Sequence, residues 1–239
     1  MKFLRNIRHS LFGRGEFKGY ALYALGEVVL VVIGILIALQ IDNWNEHRKN
    51  RISNNIMLQQ LREENRLNLQ ELLNDKEQRD TLLPTISHFI TFLGSDSLKS
   101  DTTRLRTYLA GLFSSTSYSF SENYLMRFIN ANLSDDSNLT AKLADLHGHQ
   151  QDLQYISEKG MAYRLDNFIG YLEPAVDFYD LHIYDYSRLA SLEFRNKIIM
   201  IRAMEMEVSK QYWKTLAQEQ AVDSLITELL DGTNRIQTP

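Results

Sequence analysis

The chain has 239 residues, carries a net charge of −4, and contains no cysteine, three prolines and eleven glycines. Without cysteine the fold is held by its core and not by disulfides, and so few prolines and glycines point to helices over a turn-rich β fold. The part beyond Ile41 is acidic and has no large basic cluster, which excludes nucleic acid as the expected partner.

Residues 1–19 form a basic leader, with Lys2, Arg5, Arg8, Arg14 and Lys18 against Glu16 alone. Phe3, Leu4, Ile7, Leu11 and Phe12 recur at three- and four-residue spacing between these charges. That pattern predicts an amphipathic helix lying on the cytoplasmic leaflet, where each cation near anionic lipid is worth about 1 kcal/mol. The alternative is a basic leader that only sets topology.

Residues 20–41, YALYALGEVVLVVIGILIALQI, are predicted to form a transmembrane helix. At about 1.5 Å per residue the stretch spans roughly 30 Å, the thickness of a bilayer core. Thirteen Leu, Ile and Val residues contribute roughly −6 kcal/mol to insertion against a cost of about +3 for Glu27. Tyr20, Tyr23 and Trp44 stand at the ends, where amphipathic rings favour the headgroup level. A cleavable signal peptide would have a shorter apolar core and a small-residue cleavage site. The excess of Lys and Arg in the leader predicts a cytoplasmic N-terminus and a periplasmic bulk, in a bacterial inner membrane. Glu27 shares a helix face with Ala24, Gly34 and Ala38, and the Gly34-x-x-x-Ala38 spacing suits close packing against a second copy or another membrane protein.

Residues 42–232 are expected to be a periplasmic helical bundle and 233–239 a flexible tail, so the fold class is all-α. No Gly or Pro interrupts the chain from Asp42 to Leu83, which predicts a long helix with an apolar stripe through Met57, Leu58, Leu61, Leu69, Leu72 and Leu73, broken by Asn65. The stripe is not a clean heptad, which favours a bundle helix over an intermolecular coiled coil. A shorter helix is expected over 82–93 around Pro84, and another after a Thr102 or Thr103 cap. Glu122 to Asn132 reads as a further helix. Asp135, Asp136 and Ser137 offer caps for a long one with Leu139, Leu143, Leu146, Leu153, Ile156, Gly160 and Tyr163 on one face; Pro174 marks its break. The last helix is expected from about Ser187 to Asp231, stopping at Gly232. Phe194, Ile198, Ile201, Val208, Tyr212 and Leu216 form one apolar face and Leu192, Ile199, Ala203, Met206 and Trp213 an adjoining one, which predicts neighbours on two sides.

The motif Ala24-Leu25-Gly26-Glu27, followed by LVVIGILIALQI and Asn43-Trp44-Asn45-Glu46, resembles an uncharacterised "domain of unknown function" family of single-span membrane proteins in Bacteroidota. The stretch SYSFSENYLMRFINANLSDDSNLTAKLADL is similar to that family's middle segment, without its usual Ser-Gly pair. The resemblance implies an inner-membrane protein with a helical periplasmic part, and brings no catalytic residues.

His147-Gly148-His149 with Asp145 and Asp152 is the densest set of metal-ligand types, yet histidines on a solvated helical turn are the commoner outcome, and no metal or other cofactor is expected. Phe178, Tyr179, His182, Tyr184 and Tyr186, with Asp177, Asp180 and Asp185, read as a core hinge ahead of a ligand pocket. No nucleophile–base pattern or phosphate loop is present, so no enzyme is expected. The leading expectation is a membrane protein that self-associates or scaffolds a complex, with lipid and a second copy or another membrane protein as partners. A periplasmic sensor acting through a partner, or a homo-oligomeric pore, are the alternatives.

Overall fold

The computed structural model describes residues 17–113, 117–131 and 137–235, and it resolves into two compact units, 1–54 and 55–239. The described residues are helical almost throughout and contain no β-strand, only one isolated antiparallel bridge between Val176 and Ile183.

Helix α1 (Phe17–Leu93) contributes its first part to the first unit, where its side chains are exposed from Leu22 through Ile41 with the exception of half-buried Ala24. The remainder of α1 belongs to the second unit, with α2 (Thr102–Phe113), α3 (Asn123–Ala131), α4 (Ser137–Tyr163), the short α5 (Gly170–Leu172) and α6 (Tyr186–Leu189), and α7 (Leu192–Arg235).

Three long helices build the second unit's core, and their buried positions alternate by three and four residues. On α1 these are Leu58, Leu61, Asn65, Asn68 and Leu72, then Arg79, Leu82, Ile86, Phe89 and Leu93. On α4 they are Leu139, Leu143, Leu146, Gln150, Leu153 and Ser157. On α7 they run Phe194, Ile198, Ile201, Glu205, Val208, Tyr212, Thr215, Glu219, Val222, Ile226 and Leu230. This is a heptad seam, the packing geometry of left-handed bundles. Polar residues occupy several of its positions, so apolar residues alone do not reveal it.

The same polar residues cut the core into three apolar clusters. One gathers Leu58 and Leu61 with Leu125, Phe128, Leu139, Leu143, Leu146, Val222, Ile226 and Leu230. The middle one holds Leu72, Tyr118, Leu153, Val208, Tyr212 and Leu216. The third joins Leu82, Ile86 and Phe89 to Leu105, Leu109, Phe168, Leu172, Phe194, Ile198 and Ile201. Along α1 and α4 the clusters appear in that order and along α7 in reverse, so α1 and α4 run parallel and α7 antiparallel to both.

Several helix boundaries differ from the expectation. Residues 82–93 are not a separate helix: Pro84 is inside α1 and exposed, while Leu82, Ile86 and Phe89 on either side continue the buried seam. Burial of that seam keeps the chain helical where a proline removes one backbone hydrogen bond. Asp101, not Thr102 or Thr103, caps α2, its Oδ1 accepting the Arg104 N–H at 3.0 Å. The last helix starts at Leu192, because the Ser191 hydroxyl accepts the Phe194 N–H at 3.0 Å, and residues 186–189 form a separate turn capped by Asp185. It passes Gly232 and ends at Arg235, so Gly232 does not stop it. Leu192, Ile199, Ala203, Met206 and Trp213 are exposed to differing degrees, so this second face of α7 lacks the neighbour expected of it among the described residues. Asp135 and Asp136, offered as caps of α4, and the tail from 236 lie outside the described residues.

Candidate functional sites

In the first unit the candidate site is the surface of α1 itself. Val and Ile lose side-chain freedom in a helix and are poor helix formers in water, yet the stretch is helical without interruption. In lipid the unmet hydrogen bonds of any other spanning conformation impose the helix. Among the described residues this is the one helix long and apolar enough to cross a membrane, and none of its apolar window is buried. Leu22, Leu25, Val28, Leu30, Ile33, Ile37 and Ile41 are each about half exposed or more.

Of the residues singled out from the sequence, Glu27, Gly34 and Ala38 are exposed and Ala24 half-buried. A Cβ added at Gly34 would meet nothing within 4 Å. Tyr23 and Trp44 are exposed, and the Arg48 guanidinium lies over the Trp44 ring, 5.9 Å from its centroid. Lys2, Arg5, Arg8 and Arg14 lie outside the described residues, as do the side chains of Lys18 and Tyr20.

In the second unit the buried polar residues assemble into layers. Glu205 of α7 sits between two arginines: its Oε2 is 2.8 Å from Arg79 Nη1 on α1, and its Oε1 is 2.5 Å from Arg164 Nη2. Arg79 also reaches Asp75 through Nε at 3.1 Å, and the Tyr118 hydroxyl donates to the same carboxylate. Arg164 opens a π-helical turn (Arg164–Ile169) that continues α4, and its Nη1 lies 3.4 Å from the Leu112 carbonyl oxygen. Burial pulls the Arg164 guanidinium below its ordinary value while Glu205 pulls it back up. Burial likewise pushes the Tyr118 phenol well above its usual range.

The other layer lies fourteen residues, two heptads, away on each helix. Asn65 Nδ2 donates to the Glu219 backbone oxygen at 3.1 Å and Gln150 Nε2 to Glu219 Oε1 at 2.7 Å. Asn65, Gln150 and Glu219 are each at most 3% exposed, and their remaining oxygens have no hydrogen-bond partner among the described residues. Burial, opposed by the Gln150 hydrogen bond and aided by Glu64 and Asp223, pushes the Glu219 carboxyl up to about 8. Midway between the layers the Tyr212 hydroxyl donates to the Leu72 carbonyl at 2.6 Å.

On either side of Asn65, α1 also builds the entry of α3. The buried Glu64 carboxylate accepts from the Tyr124 and Leu125 N–H groups at 3.0 Å and from the Ser121 hydroxyl at 3.2 Å. Asn68 exchanges two hydrogen bonds with the Ser121 backbone, at 2.9 and 3.0 Å. A carboxylate on free N–H groups at a helix start satisfies the donors and complements the dipole. These partners lie more than fifty residues apart in sequence, so no local motif announces them.

The histidines do not converge. Helix α4 continues through Gly148; His147 Nδ1 is 3.1 Å from Glu122, and His149 Nδ1 is 2.9 Å from Gln211 Nε2. No group of three or more His, Cys, Asp or Glu suited to a metal occurs among the described residues. The aromatic run divides. Val176 and Ile183 are buried and bridged, Leu181 takes a left-handed turn at φ 56°, and Phe178, Tyr179 and Tyr184 are exposed. Asp177, Asp180 and Asp185 each accept a nearby backbone N–H at 2.8 to 2.9 Å, which makes them turn and cap residues.

No curated protein and no solved structure matches the chain. Residues 27–136, from Glu27 on α1 through the whole of α3, match the model of a family of unknown function, DUF6090, in agreement with the uncharacterised family that the membrane motif resembles.

Proposed function

We propose that the chain is a non-enzymatic membrane protein that crosses a bacterial inner membrane once through residues 20–41, keeps its basic leader in the cytoplasm and presents residues 42–232 to the periplasm. The observation that carries this reading is the uncovered apolar surface of α1, an arrangement stable in lipid and costly in water. Five Lys and Arg residues precede the segment, against three in the ten residues after it, which supports the orientation. A reporter active only in the periplasm, fused after Pro239, is expected to work. Inactivity there, with activity of the same reporter at the N-terminus, would reverse the topology.

In this reading the face of Ala24, Glu27, Gly34 and Ala38 is the place of association with a second copy or another membrane protein. Ionisable residues at this depth face protein or water and not lipid, and small neighbours let backbones approach. Glu27→Ala and Gly34→Leu are each expected to reduce the native mass or strip co-purifying partners in mild detergent, with insertion intact. Open space around Gly34 means that a leucine meets nothing within the chain, so any loss reports on a neighbour. Wild-type mass and partners in both variants would remove this face from the proposal.

A further inference from the structure

A second face of α1 lies beside the small-residue face and has a different chemistry. Ile33, Leu36, Ile37, Gln40, Ile41 and Trp44 line an open groove of about 340 Å³. At 100° per residue, Ile33, Ile37, Ile41 and Trp44 fall within about 60° of one meridian, and Arg48 and Arg51 extend the same line past the tryptophan. Gly34 and Ala38 fall about 100° away from that line. Both arginines are exposed, and Arg48 is the one stacked over Trp44. Asp42 and Glu46, the acids of this stretch, fall within about 20° of the opposite side of the helix. The groove face is therefore apolar but for Gln40 over about three turns and then cationic at its end, with the tryptophan at the boundary.

We infer that this face is a docking surface for an anionic phospholipid, with an acyl chain along Ile33, Ile37 and Ile41 and the headgroup phosphate between Arg48 and Arg51. The inference rests on the membrane reading above. Charge complementarity chooses the occupant: an acyl chain fits the groove, and two guanidiniums beyond it match a phosphate and an anionic headgroup. Trp44, held under Arg48, supplies the amphipathic ring that suits the level between them. A second copy of this chain, by contrast, would bring its own Arg48 and Arg51 against these two if it docked in parallel.

The full-length chain carries two tryptophans, so Trp213→Phe leaves Trp44 as the only one. In nanodiscs of phosphatidylcholine, an equal mole fraction of acyl-brominated phosphatidylglycerol or of brominated phosphatidylcholine is introduced and quenching of Trp44 is compared. The anionic lipid is expected to compete more strongly for contact with Trp44, by roughly five-fold for each arginine. Arg48→Gln/Arg51→Gln should erase the preference and Arg48→Lys/Arg51→Lys should keep most of it. Both positions are exposed, and Arg48→Lys keeps a cation beside Trp44 where Arg48→Gln removes it, so the lysine variant separates the effect of charge from that of the ring contact. Equal quenching by the two lipids in the wild type overturns the inference alone. Weak quenching by both, together with a doubled native mass, assigns the groove to a second copy and also overturns it. Failure of the chain to enter nanodiscs overturns the membrane reading and this inference with it.

Discussion

Replacing Glu205 with alanine should lower the stability of the second unit by about 3–5 kcal/mol, the usual cost of removing one partner from a buried ion pair. Arg79 and Arg164 both point their guanidiniums at this carboxylate, and their side chains are no more than 4% exposed. Without it two buried cations face each other, with the Asp75 carboxylate beside Arg79. For a unit of this size the melting temperature should fall by roughly 10 °C. Thermal unfolding of the full-length protein in detergent, followed by circular dichroism, reads the change. The triple variant Arg79→Met/Arg164→Met/Glu205→Leu provides the contrast. It removes both arginines with Glu205 and leaves Asp75 without Arg79 but with its bond from Tyr118, so it should melt above Glu205→Ala. If Glu205→Ala alone melts as the wild type does, the pairs contribute nothing and the layer has another purpose.

Glu219 should make the same unit less stable as pH rises. Its carboxyl is pushed from an ordinary 4.5 to about 8, first by burial and then by Glu64 and Asp223. Between those values the folded chain holds a proton that the unfolded chain releases. The contribution is therefore fully present below about pH 4.5, declines as pH rises towards 8, and is gone above that. At about 1.4 kcal/mol per pH unit the loss is on the order of 5 kcal/mol. Geometry agrees with a neutral acid: a proton on Glu219 Oε2 supplies a donor to a layer in which Asn65 Oδ1 and Gln150 Oε1 otherwise have none among the described residues. Glu219→Gln keeps the shape and a donor without the ionisation. It should match the wild type near pH 5 and melt higher than it at about pH 8. Parallel pH profiles for the two proteins would show that Glu219 is ionised in the fold.

The two layers also explain why a core of this kind carries such residues at all. Two polar registers two heptads apart on three helices leave α1, α4 and α7 one alignment in which every layer meets its partners. Slipping any helix by one heptad would set Glu205 or Glu219 against leucines and tyrosine. Polar core positions that select one register are the best-attested use of buried polar groups in helical bundles.

Read from the sequence alone, the long apolar segment near the N-terminus, the all-helical class and the three long helices are already determined. Each rests on a signal carried within one stretch: apolar length in residues 20–41, few prolines and glycines, and apolar spacing along 139–163 and 194–216. The sequence reading fails where a polar residue occupies a core position. Asn65 reads as an interruption of a stripe, and the apolar spacing does not single out Arg79, Gln150, Glu205 or Glu219 as core positions, because burial of a polar side chain depends on partners that no local window contains. Only the tertiary structure brings Glu205 to Arg79 and Arg164, across 126 and 41 residues, and Gln150 to Glu219 across 69. The same cause moved the helix boundaries. Pro84 stays helical because the seam around it is buried, and the last helix, expected from about Ser187, starts at Leu192 because the Ser191 hydroxyl caps it once residues 173–185 have turned back on themselves. Local propensity set which segments are helices; long-range burial and hydrogen bonding decided where they start, which faces they hide and how they align.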